Sequence, residues 1–150
     1  MHEISELSGG DAGAMTDLAI RSKSHWRYTE QQMAVFRREL SFTADTIQAR
    51  TAFGIKSKDR LTAFYTLRHV DRDIELEHMF VDPRFLKRGL GSKLFEHARK
   101  QAQHTEATHL TIMSDPHAAG FYTAMGCELT KEIPSSIPGR TIPLFRLRLR

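Results

Sequence analysis

The sequence predicts a three-layer α+β fold, with a mixed, mostly antiparallel sheet of about six to seven strands flanked by about four helices. Three observations point there. Strand-like runs at 46–54, 60–70 and 74–81 are separated only by short charged connections, Lys56-Ser57-Lys58-Asp59 and Asp71-Arg72-Asp73, as an antiparallel meander requires. A long amphipathic helix then repeats Leu90, Leu94, Ala98 and Ala102 at every fourth position, with Phe95 widening the stripe. The short apolar segment 109–113 follows it, and a strand–helix–strand crossover returns the chain parallel to its first strand.

Residues 3–7 read as a short first strand, ended by Gly9-Gly10. Met15, Leu18, Ala19 and Ser22 form a helical stripe with Asp11 as its cap. Thr29 and Gln32 have capping-box spacing and open a second helix with Met33, Phe36 and Leu40 on one face. The elbow between these helices holds His25, Trp26 and Tyr28, and two readings stand: the aromatic rings plug the space between helices and sheet, or they line a pocket for a ligand.

In 74–81 the side chains alternate, Ile74, Leu76, His78 and Phe80 against Glu75, Glu77, Met79 and Val81. That strand is expected to be the middle one of the sheet. Asp82-Pro83 stops it. On the outer side of the long helix lie Lys93, Glu96, His97 and Lys100, with Glu96 and Lys100 at i,i+4 pairing distance. The stretch 114–127 describes one short capped helix, with Pro116 near its start and Gly126 beyond its end. Segments 128–133 and 142–150 read as a strand hairpin joined by a long loop containing Pro138.

The chain of 150 residues is expected to be one domain over 1–150. Its hydrophobic share of 40% and charged share of 27% are those of a soluble protein. No apolar run approaches the roughly 18 to 20 residues that span a bilayer, and Met1-His2-Glu3-Ile4-Ser5 is not a signal peptide, so no membrane association and a cytoplasmic location are expected. The single cysteine, Cys127, excludes an internal disulfide and reads as a small buried hydrophobe. Eight histidines form no cluster at ligand spacing, so no metal is expected. The net charge of +4 admits a nucleic-acid partner, but Arg146, Arg148 and Arg150 alternate with Leu147 and Leu149 as on a strand face, and no RNA- or DNA-binding motif accompanies them. No nucleic-acid partner is therefore expected.

The turn Leu86-Lys87-Arg88-Gly89-Leu90-Gly91-Ser92 carries the most chemical information. Unpaired N–H groups at a helix start attract an anion, glycines let a phosphate approach, and Lys87 and Arg88 add full charges. The turn lacks the Lys-Ser/Thr ending of a P-loop and the third glycine of a dinucleotide fingerprint, since position 94 is Leu.

Val81-x-Pro83 followed by Lys87-Arg88-Gly89-Leu90-Gly91-Ser92 and a long helix resembles motif A of the GNAT superfamily of acyl-CoA-dependent N-acetyltransferases. One position departs: Leu86 stands in the Arg/Gln slot. Asp115, Ala118, Phe121-Tyr122 and Gly126 resemble the Asn-x-x-Ala-x-x-Phe-Tyr-x-x-x-Gly-Phe of motif B, with Asp115 for Asn and Cys127 for the last Phe. The stretches Arg21-Ser22-Lys23-Ser24-His25-Trp26 and Ile137-Pro138-Gly139-Arg140 resemble one bacterial branch of the superfamily.

The resemblance implies acetyl-CoA as acyl donor and a small-molecule or peptide amine as acceptor, with a homodimer frequent in the superfamily. It implies that backbone groups of Met79, Phe80 and Val81 pair with the pantetheine arm, that Lys87, Arg88, Gly89, Leu90, Gly91 and Ser92 hold the pyrophosphate, and that Asp115 and Phe121 complete the cofactor site. Tyr122 stands where the family's proton donor to sulfur stands. Acyl transfer to an amine needs a neutral nucleophile, oxyanion donors and a protonated leaving group. For the base the strand offers Glu77 and, less well, Glu75; Glu75, His25, Trp26 and Tyr28 are the candidate acceptor contacts, with Arg21 and Arg140 suited to an anionic acceptor. Two other classes remain: a non-catalytic coenzyme A-binding module, and a small basic nucleic-acid-binding domain whose affinity falls steeply with salt.

Overall fold

The structure, a computed structural model, describes residues 3–150. In chain order it contains β1 (Ile4–Glu6), α1 (Ala12–Ser24), α2 (Glu30–Glu39), α3 (Ala44–Gln48), β2 (Thr51–Ser57), β3 (Arg60–Val70), β4 (Asp73–Val81), α4 (Leu90–Gln103), β5 (His109–Met113), α5 (Ala119–Ala124), β6 (Glu128–Pro134) and β7 (Thr141–Arg148). The strands form one seven-stranded sheet in the order β1-β2-β3-β4-β5-β7-β6. The expected α+β architecture is the one observed, with β4 at the middle. Among the described residues no helix is long and apolar enough to cross a membrane.

The chain divides into two compact units, Met1–Thr66 with His78–Leu94 and Leu67–Glu77 with Phe95–Arg150. In the first, β1 pairs antiparallel with β2, Ile4 facing Ile55. The β2–β3 connection is the two residues Lys58 and Asp59, both at positive φ (51° and 64°), the backbone of a tight hairpin turn. Residues 61–67 of β3 are buried without alternation, so the strand is covered on both faces. Its buried Thr62 donates its hydroxyl to the Ile55 carbonyl at 3.0 Å, leaving no polar cost there. Gly54 is fixed by crowding, since a Cβ would meet the Ala63 carbonyl oxygen at 2.8 Å.

Helices α1 and α2 bury Met15, Leu18, Ala19, Met33 and Phe36, the expected stripes. The Thr29–Gln32 capping box is formed in both directions, at 3.1 and 3.0 Å. One expectation fails in this unit. The strand placed at 46–54 begins only at Thr51, because Ala44–Gln48 is helical. Thr43 and Thr46 cap each other there, Thr46 N–H to Thr43 Oγ1 at 3.2 Å and Thr43 N–H to Thr46 Oγ1 at 2.9 Å. A threonine does the work usually done by Glu or Gln at that position, and Ile47 is buried.

In the second unit β4 and β5 run parallel, Ile74 beside Leu110, while β5 and β7, and β6 and β7, are antiparallel. Its core comprises Ile74, Leu76, Phe95, Ala98, Ala102, Leu110, Ile112, Tyr122, Cys127 and Phe145. Glu96 pairs with Arg99 at 2.7 Å through a single Nη2 contact at i,i+3, where the sequence pattern offered Lys100. Residues 115–126 form a single 3₁₀ turn, Pro116–Ala118, before the short α5, and Gly126 at φ 93° closes it.

Candidate active site

The end of β4 and the turn after it belong to the first unit. Met79, Phe80 and Val81 are half-buried, and Phe80 lies against Phe64 with ring centroids 5.7 Å apart. Asp82 then turns the chain. Its N–H donates to the Thr62 carbonyl at 2.8 Å, and its carboxylate takes four hydrogen bonds: Arg84 N–H (3.0 Å) and Nε (3.3 Å) to Oδ1, Arg84 Nη2 (3.1 Å) and Arg21 Nη2 (3.1 Å) to Oδ2. Burial alone would raise its pKa; the hydrogen bonds from Arg84, side chain and backbone, and from Arg21 outweigh it and hold the group down at about 2.

Beyond the Pro83–Phe85 3₁₀ turn the backbone is extended at Leu86, left-handed at Lys87 (φ 62°) and again at Gly89 (φ 79°). Nothing lies within 4 Å of a Cβ built on Gly89, so that glycine serves backbone conformation and not close packing. The Gly89 carbonyl accepts the Lys93 N–H at 3.1 Å, which starts α4. The amides of Leu90, Gly91 and Ser92 therefore fall in its first turn, where N–H groups lack an intrahelical acceptor. Lys87 and Arg88 are exposed beside them, and Arg88 stacks its guanidinium over the Phe85 ring at 5.2 Å. Leu86 is exposed at 37%.

The α1–α2 elbow, also in this unit, turns at Arg27 (φ 58°). Tyr28 packs edge-on against Phe36 at 4.7 Å, and Lys23 Nζ sits 4.3 Å over the Phe36 ring. Trp26 does not plug an interior space: it is 40% exposed and meets His25 edge-on at 4.7 Å. Thr16, Asp17, Ile20, Arg21, Arg37 and Ser41 line a cavity of about 540 Å³ between α1 and α2.

The second unit holds the titratable candidates. The two-residue turn Asp71-Arg72 sets Arg68 across from Glu75, and Arg68 donates to Glu75 Oε1 from Nη2 at 2.6 Å and Nε at 3.1 Å. Its Nη1 lies 3.6 Å from Glu77 Oε2. The structure thus brings the two acids together through a guanidinium that the sequence reading did not single out, and the bond to Glu75 drives the arginine pKa up. Glu75 is buried, 5% exposed; Glu77 is half-buried.

Tyr122 is buried in an aromatic cluster, with ring centroids 5.2 Å from Phe121, 5.9 Å from Phe145 and 6.0 Å from Phe95. Its main-chain carbonyl accepts the Cys127 N–H at 3.0 Å. Burial, with the Cys127 and Asp115 charges, pushes its phenol pKa well up, so the hydroxyl stays protonated at neutral pH. Burial also pushes the Cys127 thiol up to about 11, which leaves it a thiol and no nucleophile. Asp115 caps the turn before α5, accepting the His117 N–H at 2.9 Å, and lies 3.7 Å from Arg140 Nη2. Asp82-Pro83 after β4 and Asp115-Pro116 after β5 therefore build the same Asp-Pro turn twice.

The model of the acetyltransferase (GNAT) family matches residues 14–127. The chain belongs to that family. Solved structures agree at the level of fold. A GCN5-related N-acetyltransferase structure from Rhodopseudomonas palustris superposes with TM-score 0.85 at 17% identity, over 99% of this chain and 96% of the other. The PaiA N-acetyltransferase of Thermoplasma acidophilum, solved in complex with coenzyme A, gives 0.80 at 16% identity over 99% of each chain. The ribosomal-protein-S18-alanine N-acetyltransferase of Escherichia coli gives 0.74 at 20% identity, over 99% of this chain and 94% of the other. A search of curated protein sequences finds no match. The matched span includes both the turn before α4 and Tyr122.

Proposed function

We propose that this chain is an N-acetyltransferase of the cytoplasm that moves an acetyl group from acetyl-CoA directly to a primary amine of a small molecule or peptide, acting as one domain over 1–150. The turn before α4 carries the reading: Gly89 at φ 79° presents the first-turn amides of Leu90, Gly91 and Ser92 beside exposed Lys87 and Arg88, a cradle suited to a pyrophosphate. Backbone groups of Met79, Phe80 and Val81 pair with the pantetheine arm, where an N–H polarises the thioester carbonyl. Phe121 adds apolar contact. Asp115, whose carboxylate accepts the His117 N–H and lies 3.7 Å from Arg140 Nη2, shapes the turn ahead of α5 and meets the pantetheine there.

The acceptor must lose a proton before it attacks, because a free alkylamine has a pKa of about 10.4. Glu77 is the base. Glu75, held at 2.6 Å by Arg68, orients that arginine beside the acceptor. The ammonium first gives one proton to Glu77, which passes it to solvent; the neutral nitrogen then forms the C–N bond, gives its second proton to Glu77, and the C–S bond breaks. Tyr122 stays protonated but is a weak acid, so its hydrogen bond strengthens as charge builds on sulfur and the proton follows; solvent restores it. His25, Trp26 and Tyr28 receive the acceptor, the exposed indole offering a face to an ammonium group.

Titration calorimetry with acetyl-CoA, followed by thiol release with a panel of amines, amino acids, peptides and aminoglycosides, tests this. The expected outcome is binding, and thiol release with at least one acceptor class. A second reading draws on the Arg68 clamp over both acids. A non-catalytic coenzyme A-binding module predicts binding with no release for any acceptor.

A further inference from the structure

We propose that Asp82 is the positioning residue of the coenzyme A turn, holding that turn through Arg84 and tying it to α1 through Arg21; the inference rests on the acetyl-CoA reading above. Asp82 is 1% exposed, yet its carboxylate has every lone-pair direction used: two bonds on each oxygen, four in all. Three of the four come from Arg84, two residues on, and fold the chain back at the start of the turn. The fourth comes from Arg21, 61 residues earlier, in the helix that leads to the His25-Trp26 elbow.

The main chain of Asp82 is committed as well. Its N–H bonds the Thr62 carbonyl at 2.8 Å, and its carbonyl accepts the Phe85 N–H at 2.8 Å. Thr62 is itself bonded to Ile55, so the turn is anchored through β3 to β2. From Phe85 onward such anchors become sparse: Leu86, Lys87, Arg88 and Gly89 are all exposed, and two of them have left-handed backbone. A flexible anion-binding turn loses affinity to the entropy of ordering it, so a rigid base at Asp82 lowers that cost. The Asp82–Arg84 fork is the two-point geometry that resists rotation, which a single ammonium contact does not supply.

The test compares acetyl-CoA with S-acetylpantetheine, which lacks the pyrophosphate, by calorimetric competition on the full chain. Asp82→Asn keeps an acceptor for the Arg84 N–H but removes the charge that both guanidiniums face. It is expected to weaken acetyl-CoA about tenfold and S-acetylpantetheine by less than about twofold. Arg21→Met and Arg84→Met, which leave the carboxylate one cationic partner, are expected to show the same split in smaller measure and stand in if Asp82→Asn does not fold. Arg21→Lys restores part of the loss. Equal weakening of both ligands assigns Asp82 to stability alone and overturns the proposal, as does unchanged affinity for both. A wild-type chain with no affinity for acetyl-CoA removes the underlying reading and this inference with it.

Discussion

Arg68 holds Glu75 at 2.6 Å and lies 3.6 Å from Glu77, so one guanidinium reaches two neighbouring acids at unequal distances. The short contact binds Glu75 in a charge-assisted fork. Glu77, at the longer distance, is the acid proposed above as the base. Glu77→Gln is expected to lower kcat about a hundredfold and to abolish the rise of rate on the acidic side of the pH profile. Glu75→Gln is expected to leave that rise in place and to lower stability by about 1–3 kcal/mol, read from urea unfolding, because Arg68 loses its main partner. A pH profile untouched by Glu77→Gln removes the base assignment.

Tyr122→Phe keeps the ring among Phe95, Phe121 and Phe145 and removes only the hydroxyl. Turnover is expected to fall about tenfold to a hundredfold with little change in acetyl-CoA affinity or Tm. Because burial pushes the phenol upward, any alkaline fall in rate owed to it lies above the usual tyrosine value of about 10. Unchanged turnover removes Tyr122 from the chemistry.

The ion pairs of Asp82 set an acid limb of stability. Its folded pKa of about 2 lies below the ordinary 3.8, so the stabilisation is fully present above about pH 4 and is lost as pH falls through 2. The shift corresponds to about 2 kcal/mol for this buried group. Urea unfolding at several pH values checks it: Asp82→Asn is expected to lower stability at pH 6 and to reduce the fall toward pH 2. Asp11, held down by the Ser8 N–H and by Lys56 against the opposing effect of burial, contributes a second limb of the same sign.

Gly54→Ala places a methyl group 2.8 Å from the Ala63 carbonyl oxygen, between two strands that cannot separate without losing their ladder. A loss of about 1–3 kcal/mol is expected, read from thermal unfolding. At Gly89 the same change meets no atom within 4 Å but carries the left-handed backbone penalty, so its effect is expected on acetyl-CoA affinity before Tm.

Most of the framework was legible because its signals are local. The Leu90, Leu94, Ala98, Ala102 stripe, the Thr29–Gln32 box, the parallel return at 109–113 and the closing hairpin all follow from periodicity, caps and connection length. Helix α3 was missed because Thr43 and Thr46 cap with a residue pair outside the usual Ser/Thr–Glu/Gln signature. Arg68 was within reach: a two-residue turn at Asp71-Arg72 fixes the register that places it opposite Glu75. Asp82 was not, because as Asp-Pro it signals only a strand end, and its Arg21 partner comes from a distant helix that no spacing announces. Trp26, the largest side chain of the elbow, is 40% exposed, so the interior plug, one of the two readings its sequence left open, is not what forms.

Whether the turn from Lys87 to Ser92 holds the pyrophosphate of acetyl-CoA, as proposed, is measured most directly by calorimetric titration of the full chain with acetyl-CoA beside a Lys87→Ala/Arg88→Ala variant. The wild type is expected to bind one-to-one and the variant about tenfold more weakly, with the difference shrinking as salt rises. Wild-type protein that binds no acetyl-CoA, or a variant that binds it equally well at low salt, contradicts the account.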